Sequence, residues 1–273
     1  MLSAGIAAFI LFRRVAARRR HLELTRKPFP KEWEEILEKD LPPYRRLSPE
    51  LRRELQGLVN IFLAEKTFEG CGGLEVTDEM RVLIAAEACL LLLNKGKTDC
   101  YPSLDSIILY PHAFVANAKR SLGTESGGVM VEDTASARIG ESWGTGAVVL
   151  AWDHVRGGAA DFADGQNVVL HEFGHQLDQA SGSANGAPPL EGSTSYRSWG
   201  RILGNEYAHL REKVERHRRD VLDSYGATNP AEFFAVATET FFEKPERLRE
   251  KHPELFEELK AYYRLDPTEW VER

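Results

Sequence analysis

Apolar and polar positions alternate along this chain in two periods, and the longest runs repeat at helical spacing. Lys31–Glu38 reads as a short amphipathic helix that Pro42-Pro43 breaks. Ser48 is an N-cap with Pro49 at the first helical position, which opens a helix to about Phe68, and Gly70, Gly72 and Gly73 end it. Thr77 caps the next helix, with Asp78 and Glu79 favourable in its first turn. From Val82 to Leu93 that helix is apolar almost all round, which predicts a place at the centre of the core. Glu87 stands inside it and reads as a polar-edge residue, or else as a carboxylate behind a functional site.

Period-two segments follow. Ser106–Tyr110, Gly128–Glu132 and Ala147–Trp152 read as strands, with a turn at Gly144–Gly146. Gly157-Gly158 and Asp161–Gly165 read as a loop into a helix capped by Asn167. Ser181–Ser195, rich in Gly, Ser, Ala and Pro, reads as a loop over a cleft. Tyr196 to about Leu222, Asn229-capped Pro230 to about Glu243, and His252–Tyr263 are the remaining helices. The expected fold is α+β and mainly helical, with a small mixed sheet in front of the helix that starts near Val168.

That helix carries the chemistry. In Val168-Val169-Leu170-His171-Glu172-Phe173-Gly174-His175, four residues separate the histidines, so both imidazoles leave one face. Two neutral imidazoles on a rigid helix fix two corners of a zinc tetrahedron, and Glu172 is placed to take the proton of an attacking water. The motif lies in an apolar run, which argues against merely solvated histidines. One zinc per chain and a hydrolase are the expectation. A metzincin would continue to Gly and His where this chain has Asp178 and Ser181, so the third ligand must come from further on. Three carboxylates are candidates: Glu206 in Asn205-Glu206, Glu232 in the first turn of an otherwise apolar helix, and Glu239 on the same face. Glu232 can also be read as a partner of its helix dipole.

Two blocks, His171–His175 and Tyr225-Gly226-Ala227-Thr228-Asn229-Pro230-Ala231-Glu232-Phe233-Phe234-Ala235, resemble the Mlc titration factor A family of zinc peptidases, and are similar to the catalytic core of anthrax lethal factor. The likeness to the titration-factor family extends to Gly140–Trp152, Asn185–Leu190 and Phe241–Glu243. It implies a zincin-like, gluzincin-type fold, His171, His175 and Glu232 as zinc ligands, Glu172 as general base, and Tyr225 as a hydroxyl donor to the developing oxyanion. It also implies aminopeptidase-like activity and a transcriptional repressor as a protein partner. The competing reading is a regulator-binding protein whose zinc site is structural or vestigial.

Charge and composition narrow the rest. Residues 1–27 carry Arg13, Arg14, Arg18, Arg19, Arg20, Arg26 and Lys27 against Glu23, a balance of +6, so the remainder is −13 in a chain of net −7. An acidic body argues against nucleic acid as substrate. Cys71, Cys89 and Cys100 are odd in number and lack CxxC spacing, which fits a reducing, cytoplasmic compartment rather than a disulfide framework. Leu2–Phe12 is apolar but well short of the roughly 20 residues that span a bilayer. Its arginines follow it, opposite to a secretory signal. Residues 1–27 therefore read as a basic tail, preferably a frayed helix of a cytoplasmic protein and alternatively a membrane-surface segment. Residues 28–273 read as one peptidase domain.

Overall fold

A computed structural model describes residues 15–96, 99–112, 146–180, 182–190 and 195–270. Residues 15–26 are helical. Prolines then punctuate three helices: α1 (Lys31–Asp40), α2 (Pro42–Arg46) and α3 (Pro49–Glu65). Ser48 caps α3 by accepting from the Leu51 N–H at 3.3 Å. The helix stops at Glu65, short of Phe68, because tertiary pairing competes for the chain there. Lys66 is extended, and its buried ammonium donates to the carbonyls of Tyr101 (2.8 Å) and Leu104 (2.7 Å). The following residues form a strand, β1 (Thr67–Gly70), that hydropathy alone does not reveal.

Helix α4 (Asp78–Leu90) carries the core as expected. It is buried continuously from Val82 to Leu90 and packs against α3 and α1. Strands β2 (Ser106–Tyr110) and β3 (Ala147–Ala151) join β1 in the order β1-β2-β3, all parallel, with Thr67 beside Ser106 and Ser106 beside Ala147. The expectation was a mixed sheet; among the described residues the sheet is parallel. The strand expected at Gly128–Glu132, and the segment from Gly140 to Thr145, lie outside the described residues.

The strand expected to end at Trp152 ends at Ala151, and Trp152 starts α5 (Trp152–Ala160). Gly157-Gly158, read from sequence as a loop, is inside this helix. A Cβ on Gly158 would stand 3.2 Å from Asn167 Cα and from the Gln166 carbonyl, so the glycine lets α5 lie against the segment before the histidine helix. That helix is α6 (Val168–Gln179). After it come α7 (Tyr196–Glu215), a 3-10 turn at Ser224–Ala227, α8 (Pro230–Glu243), α9 (Pro245–Lys251) and α10 (Pro253–Tyr263), with a last 3-10 turn at Pro267–Trp270. Helix α7 ends before Leu222 because His217 turns left-handed, with φ +53°. Cys71, Cys89 and Cys100 form no disulfide.

A buried ionic clamp ties α7 to α10. His252 Nδ1 is 2.7 Å from Glu206 Oε2 and its Nε2 is 2.8 Å from Asp220 Oδ1, while Lys213 donates to Asp220 Oδ2 at 2.7 Å. Burial opposes the imidazolium, but Asp220 and Glu206 outweigh it and raise the His252 pKa to about 9. Burial likewise opposes the Asp220 carboxylate, yet the bonds from His252 and Lys213 hold it well below the usual range. The histidine's contribution to stability is full below its unfolded pKa near 6.5 and is lost as pH rises through about 9. The aspartate's is present above about 3.8 and is lost as pH falls below it. Thermal melting from pH 4 to 10 is therefore expected to show a plateau up to about pH 6.5 and a decline from there to about pH 9 that His252→Gln abolishes. A wild-type alkaline limb as flat as that of His252→Gln would refute it.

Candidate metal centre

The site is built by two helices packed along each other, α6 and α8. Asn167 Oδ1 caps α6 by accepting from the Leu170 N–H at 2.9 Å, and Asn229 Oδ1 caps α8 by accepting from the Glu232 N–H at 3.0 Å. Pro230 at the first position of α8 fixes where its first turn begins. Behind α6, Phe173 packs on Phe62 and Tyr101, with ring centroids 5.7 and 4.8 Å away, so the opposite face presents His171 and His175 toward α8. At the midpoint of the crossing, a Cβ on Gly174 would stand 3.5 Å from Ala235 Cα. Small residues bring the two helices together there.

Three donor atoms converge. His171 Nε2 is 3.0 Å from Glu232 Oε2, His175 Nε2 is 3.3 Å from the same oxygen, and the two Nε2 atoms are 3.2 Å apart. An ion bonded tetrahedrally at about 2.0–2.1 Å holds its donors roughly 3.3 Å from one another. The triangle therefore fits a small tetrahedral ion, with two imidazoles and one carboxylate as donors. Among the described residues this is the cluster of histidine and carboxylate side chains close enough to hold a metal. Burial pushes the His175 pKa down to about 4, which keeps its nitrogen available at neutral pH. Burial alone would raise Glu232, but its bonds to His171 and His175 bring it down to about 2.

Behind His171 stands a second carboxylate. Glu239 Oε1 is 2.7 Å from His171 Nδ1, so the ring N–H on that side donates to it and Nε2 is turned to the triangle. Burial works against a charged His171, yet Glu239 and Glu232 raise its pKa well above 6.5. Glu239 Oε2 also accepts the Asn167 N–H at 2.8 Å. Asn167 Nδ2 in turn donates to Glu87 Oε2 at 2.6 Å, and the Gly165 N–H donates to Glu243 Oε2 at 2.7 Å. Three carboxyl groups thus hold the segment from which α6 starts. Burial raises Glu87 to about 8 and Glu243 to about 9, so both are protonated at neutral pH and add no negative charge there.

The structure sorts the sequence candidates. Glu232 joins the histidines; Glu239 lies one shell out; Glu206 bonds His252 instead. Glu87 is fully buried, not a polar-edge residue, because Asn167 gives it a partner inside the core. Glu243 escaped the sequence reading. The signal was there: Glu232, Glu239 and Glu243 recur at spacings of seven and four on a helix otherwise apolar, which is one face. Glu172, also buried, follows His171 on α6. Tyr225 sits in the 3-10 turn before α8, held by the Asp223 carboxylate accepting its N–H at 2.8 Å, with its ring centroid 5.9 Å from that of His171.

The loop after α6 closes against the same place. Asp178 Oδ2 accepts the Gly186 N–H at 2.7 Å, and Trp199 Nε1 donates to the Gly186 carbonyl at 2.8 Å. Gly186 has φ +77°, and a Cβ there would meet the Pro230 carbonyl oxygen at 2.4 Å. Only glycine lets this loop touch the first turn that carries Glu232.

Known proteins agree with a metal-dependent architecture. An uncharacterized protein from Synechocystis sp. is 43% identical over 249 residues, covering 91% of this chain and 89% of that one. Mlc titration factor A of Serratia proteamaculans is 32% identical, over 83% of this chain and 86% of its own. Mlc titration factor A of Klebsiella pneumoniae is 30% identical, over 88% of each. The family described as glucose-regulated metallo-peptidase M90 matches residues 14–264, reaching into the segment before Pro28 and spanning both helices of the site. The chain belongs to that metallopeptidase family.

Proposed function

We propose that this protein is a zinc-dependent peptidase of gluzincin type that holds one zinc per chain on His171, His175 and Glu232. The observation that carries the reading is the triangle of two imidazole nitrogens and one carboxylate oxygen. Nitrogen donors favour zinc over magnesium or calcium, and three protein ligands leave a fourth position, as hydrolytic sites do and closed structural sites do not. Zinc bound there supplies a Lewis acid and lowers the pKa of water.

The chain's own groups do the proton work. Glu172 accepts the proton of the attacking water and returns it to the leaving amine. Tyr225 donates its phenol proton in a hydrogen bond to the former carbonyl oxygen as charge builds on it. Glu239 keeps the His171 tautomer and ring plane fixed. The relatives' name, Mlc titration factor A, supports a second property for this chain: binding of a transcriptional repressor. Three cysteines outside any disulfide support a cytoplasmic location. Aminopeptidase-like cleavage follows the family resemblance.

The test joins metal analysis with digestion of a peptide library that includes free and blocked N-termini. Stoichiometric zinc, cleavage abolished by chelation and restored by zinc, is the expected result. Protein purified without chelators that carries no stoichiometric zinc and gains no activity from it would overturn the reading. Tyr225→Phe is expected to bind zinc normally, leave the Michaelis constant nearly unchanged and lower turnover by roughly 10²–10³. Full turnover in that variant would assign Tyr225 to packing of the turn.

A further inference from the structure

The helix of residues 15–26 divides into two parts. From His21 onward it is docked. His21 is buried with Nε2 2.6 Å from Glu65 Oε1, Asn60 Nδ2 on α3 donates to the carbonyls of Leu24 (3.3 Å) and Lys27 (3.0 Å), and Thr25 lies so close to Gly57 that a Cβ there would be 3.3 Å away. Residues 15–20 are all exposed. Along the outward side run Val15, Arg18, Arg19, Leu22 and Arg26, at helical offsets of three, four, seven and eleven, which is one face. Val15 is 44% and Leu22 46% exposed; with Tyr196 they are the large apolar side chains that the described residues leave in water. No helix among the described residues is long and apolar enough to cross a membrane.

We propose that this face seats the protein on an anionic lipid surface. The body, at −13, is repelled by such a surface, while residues 1–27 carry +6, so the charge is polarised toward one end and selects one orientation. Arginines flanking exposed Val15 and Leu22 match an interface where phosphate heads meet acyl chains. A nucleic acid would use the arginines and leave the apolar residues in water. Arg20 is turned back to the Ala64 carbonyl at 3.5 Å, which leaves Arg18, Arg19 and Arg26 for the lipid.

The experiment is sedimentation of the full chain with vesicles of phosphatidylcholine alone and of phosphatidylcholine with about a third phosphatidylglycerol. Partitioning onto the anionic vesicles, weak on the neutral ones and falling with salt, is expected. Arg18→Ala with Arg19→Ala should lower it roughly 30-fold, about fivefold per arginine. Val15→Ser with Leu22→Ser should lower it further at every salt concentration. All four positions are exposed, so melting temperatures should not change. No sedimentation with anionic vesicles would overturn the proposal, as would binding that both double variants retain. Retention on heparin without vesicle binding would assign the face to a soluble polyanion and overturn it equally. The readout needs neither metal nor peptidase activity, so it stands apart from the catalytic reading.

Discussion

Glu172→Gln is expected to retain its metal and to lose peptide hydrolysis by a factor of roughly 10²–10⁴. The amide has nearly the shape of the carboxylate and the same place on α6 beside His171, so helix, core and donor triangle stay as they are. What disappears is the ability to accept a proton. A closed structural zinc site has no use for a base next to its ligand. Under the competing reading, a regulator-binding protein with a vestigial site, the substitution would change nothing that the protein does. Zinc content and single-turnover hydrolysis, measured on the same preparation, separate the outcomes. If Glu172→Gln loses zinc as readily as His175→Ala, its role is ligation or support; if it turns over at the wild-type rate, it is no base.

The histidine helix was legible in the sequence because its signal is local. His171, Glu172 and His175 lie within one and a half turns, and the Asn167 cap directly precedes them. The cap and proline that start α8 are equally local, which is why its bounds agree with expectation. Non-local pairing was harder to read. Strand β1 is four residues, exposed along most of its length, and exists because Thr67–Gly70 lies alongside β2. Nothing in its own pattern announces it. Helix α5 was hidden by Gly157-Gly158, which weaken a helix by about 1 kcal/mol each and so read as a loop. Gly158 is needed for close contact with Asn167, a relation that no window of sequence contains. The outer carboxylates show the same limit. Glu87 and Asn167 are 80 residues apart in the chain and 2.6 Å apart in space.

Glu232→Ala is expected to strip the site of metal, with Glu239→Ala and Glu206→Ala as graded comparisons. Glu232 supplies the oxygen that stands 3.0 and 3.3 Å from the two Nε2 atoms, and its loss leaves the two imidazoles without the anionic donor of the triangle. Two neutral ligands on a single helix hold zinc far less well than three of which one is anionic. Glu239 touches no donor oxygen or Nε2 atom; it fixes His171 through Nδ1, so its removal should weaken binding by only about 10–100-fold. Glu206 is engaged with His252 on the clamp between α7 and α10, so Glu206→Ala should keep full zinc affinity and lower the melting temperature instead. Competition with a chromophoric chelator gives the three affinities on one scale, and melting curves give the stabilities. The expected order of zinc affinity is Glu206→Ala equal to wild type, then Glu239→Ala, then Glu232→Ala. Tight zinc binding in Glu232→Ala would remove it from the ligand set. Loss of zinc in Glu206→Ala with an unchanged melting temperature would move the third ligand to α7, because a carboxylate serving only the clamp is felt in stability and not at the metal.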